Sequence, residues 1–170
     1  MNRRFVSVAI AACLALVASL AVAAALPPLA PLPEKFKNKQ VIKPDPTIPK
    51  DEAELLGEWE GNWKYIGDMR EARGLNFGQE VRRAKLIVYE APSPGKIKFL
   101  FGIGDSPFLT IAGGWWDNES DIQEKDGKKY FSRISQSAGG SGFGMQFHLE
   151  NGVMMGGQGK NWEIELKRVK

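Results

Sequence analysis

The stretch "GEWEGNWKY" at residues 57–65 sets glycine or an aromatic ring at every second position, with charged or amide groups between them. Side chains on a strand point alternately to opposite faces, so a period of two makes a ribbon with one apolar and one wetted face. A helix would need a period near 3.6. The alternation returns along the chain. In "KIKFLFGIG", 96–104, Ile97, Phe99, Phe101 and Ile103 share a face. Phe143, Met145, Phe147 and Leu149 share one in "FGMQFHLE", and Trp162, Ile164, Leu166 and Arg168 share one in "NWEIELKRV". "VRRAKLIVYEA" at 81–91 and "KKYFSRIS" read as further strands, and "SPFLTIAGGWWDNESDIQEK" as one bent strand or two short ones, kinked at Gly113-Gly114.

Turn signals punctuate these runs: "PSPG" at 92–95, Asp126-Gly127 and Asn151-Gly152. Residues 67–80 are polar and glycine-broken, a long loop or a short helix. The expected fold is all-β: an antiparallel up-and-down meander of about eight strands, closed into a barrel so that no edge is left open. A sandwich would need longer Greek-key connections.

The chain divides into three unlike parts. Residues 1–25 carry Arg3 and Arg4, then "FVSVAIAACLALVASLAVAAA", with Ala-x-Ala endings at Ala23 and Ala25. These are the marks of a secretory signal peptide, so the protein is expected to be exported, to the periplasm or beyond the cell. Contact with a membrane is expected only through this segment, should it stay uncleaved. The one cysteine, Cys13, falls inside it, which leaves the remainder without thiol or disulfide. Residues 26–50, rich in proline and lysine, read as a flexible tail rather than a packed element. Residues 51–170 form the barrel domain.

Charge locates the basic groups. The chain has 23 basic and 20 acidic residues, but the domain itself has 16 against 18, a net −2. Its surface offers no basic footprint for nucleic acid, and none is expected as a partner.

Gly57-Glu58-Trp59 on the first strand and Arg168 at the end of the last carry a resemblance to the lipocalin-like (calycin) superfamily. That resemblance implies a barrel in which the tryptophan and the arginine pack together at the closed end, with Arg168 across the Trp59 ring. Both residues then belong to the scaffold, and the interior is where a ligand would go. The Gly-x-Trp-x-Gly at 57–61 is also similar to the start of nitrobindin-type haem barrels, which bind iron through a late histidine. Here the only histidine, His148, is out of phase with Phe147 and should face outward.

No catalytic constellation emerges. Glu58, Glu60, Glu163 and Glu165 fall on wetted faces, where a carboxylate has no reason for the raised pKa of a general acid. "GGSGFG" at 139–144 is not a nucleophile elbow. Asp117, Glu119 and Asp121 lack the spacing of a calcium loop. The protein is therefore expected to be no enzyme and to carry no cofactor.

The expected function is binding of a small apolar or amphipathic ligand by the inward residues Phe99, Phe101, Phe143, Met145 and Phe147. Of the neighbours Trp115 and Trp116, one must face in and the other out. An outward one could stack a sugar ring, anchor a protein partner, or be covered by the tail or the 67–80 loop. The alternative function is a protein-interaction module. Some bacterial metalloprotease inhibitors use a similar barrel and insert an N-terminal arm, though they usually carry a disulfide that this chain lacks.

Overall fold

The computed structural model describes residues 26–67, 80–106, 112–135 and 143–169; residues 1–25, read as a signal peptide, lie outside them. Nine strands follow in chain order among the described residues. They are β1 (Gly57–Tyr65), β2 (Val81–Ser93), β3 (Lys96–Ile103), β4 (Gly114–Asp121), β5 (Gln123–Lys125), β6 (Lys128–Ser135), β7 (Phe143–Glu150), β8 (Val153–Gln158) and β9 (Trp162–Arg168). All pairs are antiparallel in one sheet of order β4-β3-β2-β1-β9-β8-β7-β6-β5. This is the meander of the sequence pattern, with the short β5 as a ninth strand. First and last strands are neighbours, Trp59 standing opposite Arg168. The two ends of the sheet come together where the Ser132 amide donates to Ser120 Oγ, 3.0 Å, so the barrel is nearly closed.

The tight turns adopt the backbone that their residues favour. Asp126 and Gly127 have φ of 53° and 71°, and Asn151 and Gly152 have 51° and 77°, the left-handed pair of a two-residue hairpin.

One end of the barrel is sealed by the chain that enters it. A single helical turn, α1 (Lys50–Ala53), starts after Pro49 and delivers Leu55 and Leu56 into the core. Glu52, 5% exposed, fastens this plug. One of its carboxylate oxygens accepts the Gly95 amide at 2.8 Å, and the other meets Lys129 Nζ at 2.8 Å. The Trp59 indole N–H donates to Leu55 O at 3.1 Å. Arg168 lies over the Trp59 ring, 4.1 Å from its centroid, and donates to the carbonyls of Leu56 and Glu54.

Gly61 flanks Trp59 on the same face of β1, but its role lies across the seam. A Cβ there would stand 2.0 Å from Glu165 O, so the glycine lets β9 approach β1 rather than making room for an indole.

Above the plug the interior is filled by rings. Phe99 meets Phe131 edge-on at 5.0 Å, Phe101 meets Phe147 at 5.3 Å, and Phe131 stacks on Phe147 at 5.3 Å. Met154, Ile164, Leu166 and Leu86 complete this layer.

Residues 26–50 lie against the barrel, unlike the tail read from their composition. Phe36 is buried in a second apolar cluster with Ile87, Tyr89 and Leu100, and Leu32 and Trp115 pack on it. The Ile42 amide donates to Tyr89 O at 2.8 Å. A few apolar residues among the prolines suffice, because Ile87, Tyr89 and Leu100 give β2 and β3 an apolar outer face as well. Those strands are buried on both sides, which their near-continuous apolar run encodes.

Candidate functional site

The end of the barrel opposite the plug is termed the mouth, and the side chains that face inward there follow from strand parity. Directly opposed residues on paired strands share a face. Trp63 and Tyr65 continue the inward series of Trp59 along β1, and Trp162 stands opposite Tyr65. The three rings form one cluster: Trp63 and Trp162 stack at 4.1 Å, and Tyr65 meets Trp162 edge-on at 4.8 Å.

Two arginines share this apolar face. Arg82 stands opposite Trp63, with its guanidinium 5.3 Å from that ring. It is 5% exposed, donates from Nε to Gly104 O at 2.8 Å, and lies 3.9 Å from Glu80. Burial pushes the Arg82 guanidinium below its ordinary value, while Glu80 and Asp105 oppose that shift. Trp63 Nε1 and one Glu80 oxygen are buried without a hydrogen-bond partner among the described residues.

Arg133 stands opposite the buried Met145 on β7 and lies over the ring of Trp116, 4.4 Å from its centroid. Burial alone pushes its guanidinium below the ordinary value. Trp116 stands opposite Phe101, which makes it the inward member of the tryptophan pair.

The residues expected to bind a ligand are therefore dispersed. Phe99, Phe101 and Phe147 are fully buried against one another in the filled layer, with Met145 buried at its edge. Phe143 begins β7, and its side chain lies outside the described residues. Trp116 belongs to the mouth. Trp115 points outward, where the N-terminal segment covers it and Ala30 O accepts its indole N–H at 2.8 Å. Of the fates open to the outward tryptophan, cover by residues 26–50 is the one found.

Sequence reasoning passed over Trp63, Tyr65, Arg82, Arg133 and Trp162 as site residues. Parity could have found them: Arg82 is in phase with Ala84, Leu86 and Val88, and Arg133 with Phe131. A charge on an apolar face is the signal.

The outer surface offers other chemistry. His148 faces away from the barrel interior, 3.2 Å from Glu150 and against the Tyr130 ring at 4.9 Å. With Ser132 and Gln146 it lines an open groove of about 430 Å³. An outward histidine cannot ligate iron inside the barrel. Asp117 accepts from Tyr89 OH at 2.9 Å and pairs with Lys39 at 3.3 Å, so it serves the N-terminal segment. Among the described residues no group of histidine, cysteine and carboxylate side chains is placed to hold a metal ion. Lys85 bridges Glu58 and Glu60 at 2.9 and 2.7 Å on the wetted face.

Comparison with family models, with curated proteins and with solved structures returns no match to this chain.

Proposed function

We propose that this protein works outside the cytoplasm as a non-catalytic, lipocalin-like binder of a small apolar or amphipathic ligand, received at the barrel mouth. The observation that carries this reading is the joined Trp63–Trp162–Tyr65 cluster at the end that the plug does not seal. Aromatic rings with polar tips and inward arginines suit a ligand that is apolar over most of its surface and polar at one point. The filled layer of Phe99, Phe101, Phe131 and Phe147 limits the ligand's depth, because going deeper would cost those ring contacts. The signal-peptide pattern of residues 1–25 supports that location.

The inhibitor reading has less support. An arm that inserts into a partner must first leave its own barrel, and here Phe36 is buried in that barrel's second cluster.

The test is titration of the chain from residue 26 onward with an environment-sensitive apolar dye, followed by tryptophan emission. Saturable binding at micromolar dye, weakened at least several-fold by Trp162→Ala, is the expected result. Unsaturable binding, or binding indifferent to Trp162→Ala, would remove the mouth as the site.

A further inference from the structure

The two inward arginines at the end away from the plug differ in one respect. Arg82 has Glu80 and Asp105 near it, so its charge is balanced inside the barrel wall. Arg133 has the face of Trp116 and, among the described residues, no carboxylate. Of the connections that flank it and Trp116, residues 136–142 ("QSAGGSG") contain no acidic residue, and residues 104–113 contain one, Asp105, whose carboxylate accepts the Gly113 amide and faces Arg82. Asp68 and Glu71, in the β1–β2 connection, lie outside the described residues.

A guanidinium stacked on an indole spends its face and keeps its edge. The five N–H donors lie in the plane of the group, in a fork that matches a carboxylate or phosphate. Arg133 is half-buried, so an anion meeting that edge does so with part of its water already removed, where the attraction is stronger than at an open surface. Trp116 both supports the guanidinium and presents apolar surface beside it. The mouth therefore joins an unspent cationic fork to an aromatic lining.

We infer that the mouth ligand is an anionic amphiphile whose head is held by the edge of the Arg133 guanidinium, stacked on Trp116, with its apolar part against the Trp63–Trp162 cluster. This rests on the proposal that the mouth takes a ligand, and it adds the chemical class of that ligand. A carboxylate and a phosphate head would both fit the fork.

The experiment compares decanoate, decyl phosphate and decan-1-ol by calorimetric titration of the chain from residue 26 onward and of its Arg133→Gln and Arg133→Lys variants. The expected result is that one or both anions bind about ten-fold more tightly than the alcohol, the scale of one charge-assisted hydrogen bond. The ratio should fall to near one in Arg133→Gln and stay partly intact in Arg133→Lys, which keeps the charge but not the fork. Decanoate against decyl phosphate tells the two head groups apart. Equal binding of all three by the parent chain would overturn the inference while leaving the mouth as a ligand site, with the charge answered inside the chain. An anion preference that survives Arg133→Gln would overturn it too. Binding of none would remove the mouth site and the inference together. Should Arg133→Gln fail to fold, the parent chain and Arg133→Lys still decide.

Discussion

Arg168 and Trp59, opposed across the seam between the first and last strands, hold the closed end of the barrel together through both faces of one contact. The guanidinium lies 4.1 Å from the indole centroid, and its nitrogens reach back to the carbonyls of Leu56 and Glu54 in the entering chain. One side chain so joins β9, β1 and the plug. Arg168→Ala should cost about 2–3 kcal/mol, from the cation–π contact and the charge-assisted hydrogen bonds together. Arg168→Lys should recover less than half, since lysine can stack but cannot fork. Urea unfolding followed by tryptophan emission measures both, and a loss below about 0.5 kcal/mol would show the contact to be incidental.

Gly61 admits no larger residue. A Cβ at 2.0 Å from Glu165 O can be relieved only by parting β1 from β9, because the obstacle is backbone. Gly61→Ala should destabilise by about 3 kcal/mol, at the upper end of overpacking effects. Gly144→Ala on β7 is the control: nothing stands within 4 Å of its added Cβ, so stability should hardly change. Thermal unfolding of the two variants side by side tests the contrast.

Glu52 ties the plug to two separate hairpins. Its removal leaves the Gly95 amide without its acceptor and Lys129 with Asp51 alone, so Glu52→Ala should cost about 2 kcal/mol. Glu52→Gln, which can still accept from Gly95, should cost less. If the two variants are equally stable, the carboxylate's charge and its hydrogen bonds contribute nothing separable.

The same clasp makes stability depend on pH. The hydrogen bond from Lys129 holds the Asp51 carboxyl below its ordinary value. A depressed carboxyl contributes stability that is present above the unfolded pKa and lost as pH falls through the folded one. Lys129 is held above its ordinary value, first by Asp51 and then by Glu52, and its contribution is lost as pH rises through the folded value. The clasp therefore strengthens the fold between the carboxylate and lysine ranges and weakens it outside them. Lys129→Met should flatten both flanks of a stability–pH profile, modestly, since Asp51 is well exposed. An unchanged profile would assign the pH response to other groups.

Phe36 is the anchor of the N-terminal segment. Phe36→Ala should release residues 26–49 locally more than it weakens the barrel, since the primary core does not include this ring. Hydrogen exchange at the Ile42 amide and the Trp115 indole should quicken by at least ten-fold, while core amides of β1 and β9 keep their rates. Equal acceleration everywhere would mean that segment and barrel unfold as one unit.

How far the chain could be read without its structure depended on the range of each signal. The period-two runs and the Asp126-Gly127 and Asn151-Gly152 turns set the strands, their faces and their sequential order, because those are properties of neighbouring residues. The pairing of Trp59 with Arg168 was legible as well, since a closed meander must bring its ends together. The long-range relations were not. That Trp115 is covered by residues 26–50 depends on β2 and β3 having two apolar faces and on Phe36 finding the outer one. That Gly61 answers to Glu165 depends on how closely two strands cross. That Arg82 finds Glu80 and Asp105 while Arg133, among the described residues, finds the Trp116 ring and no carboxylate depends on where the barrel wall carries each side chain. Alternation along a strand states which way a residue points; only closure of the sheet decides what it meets there.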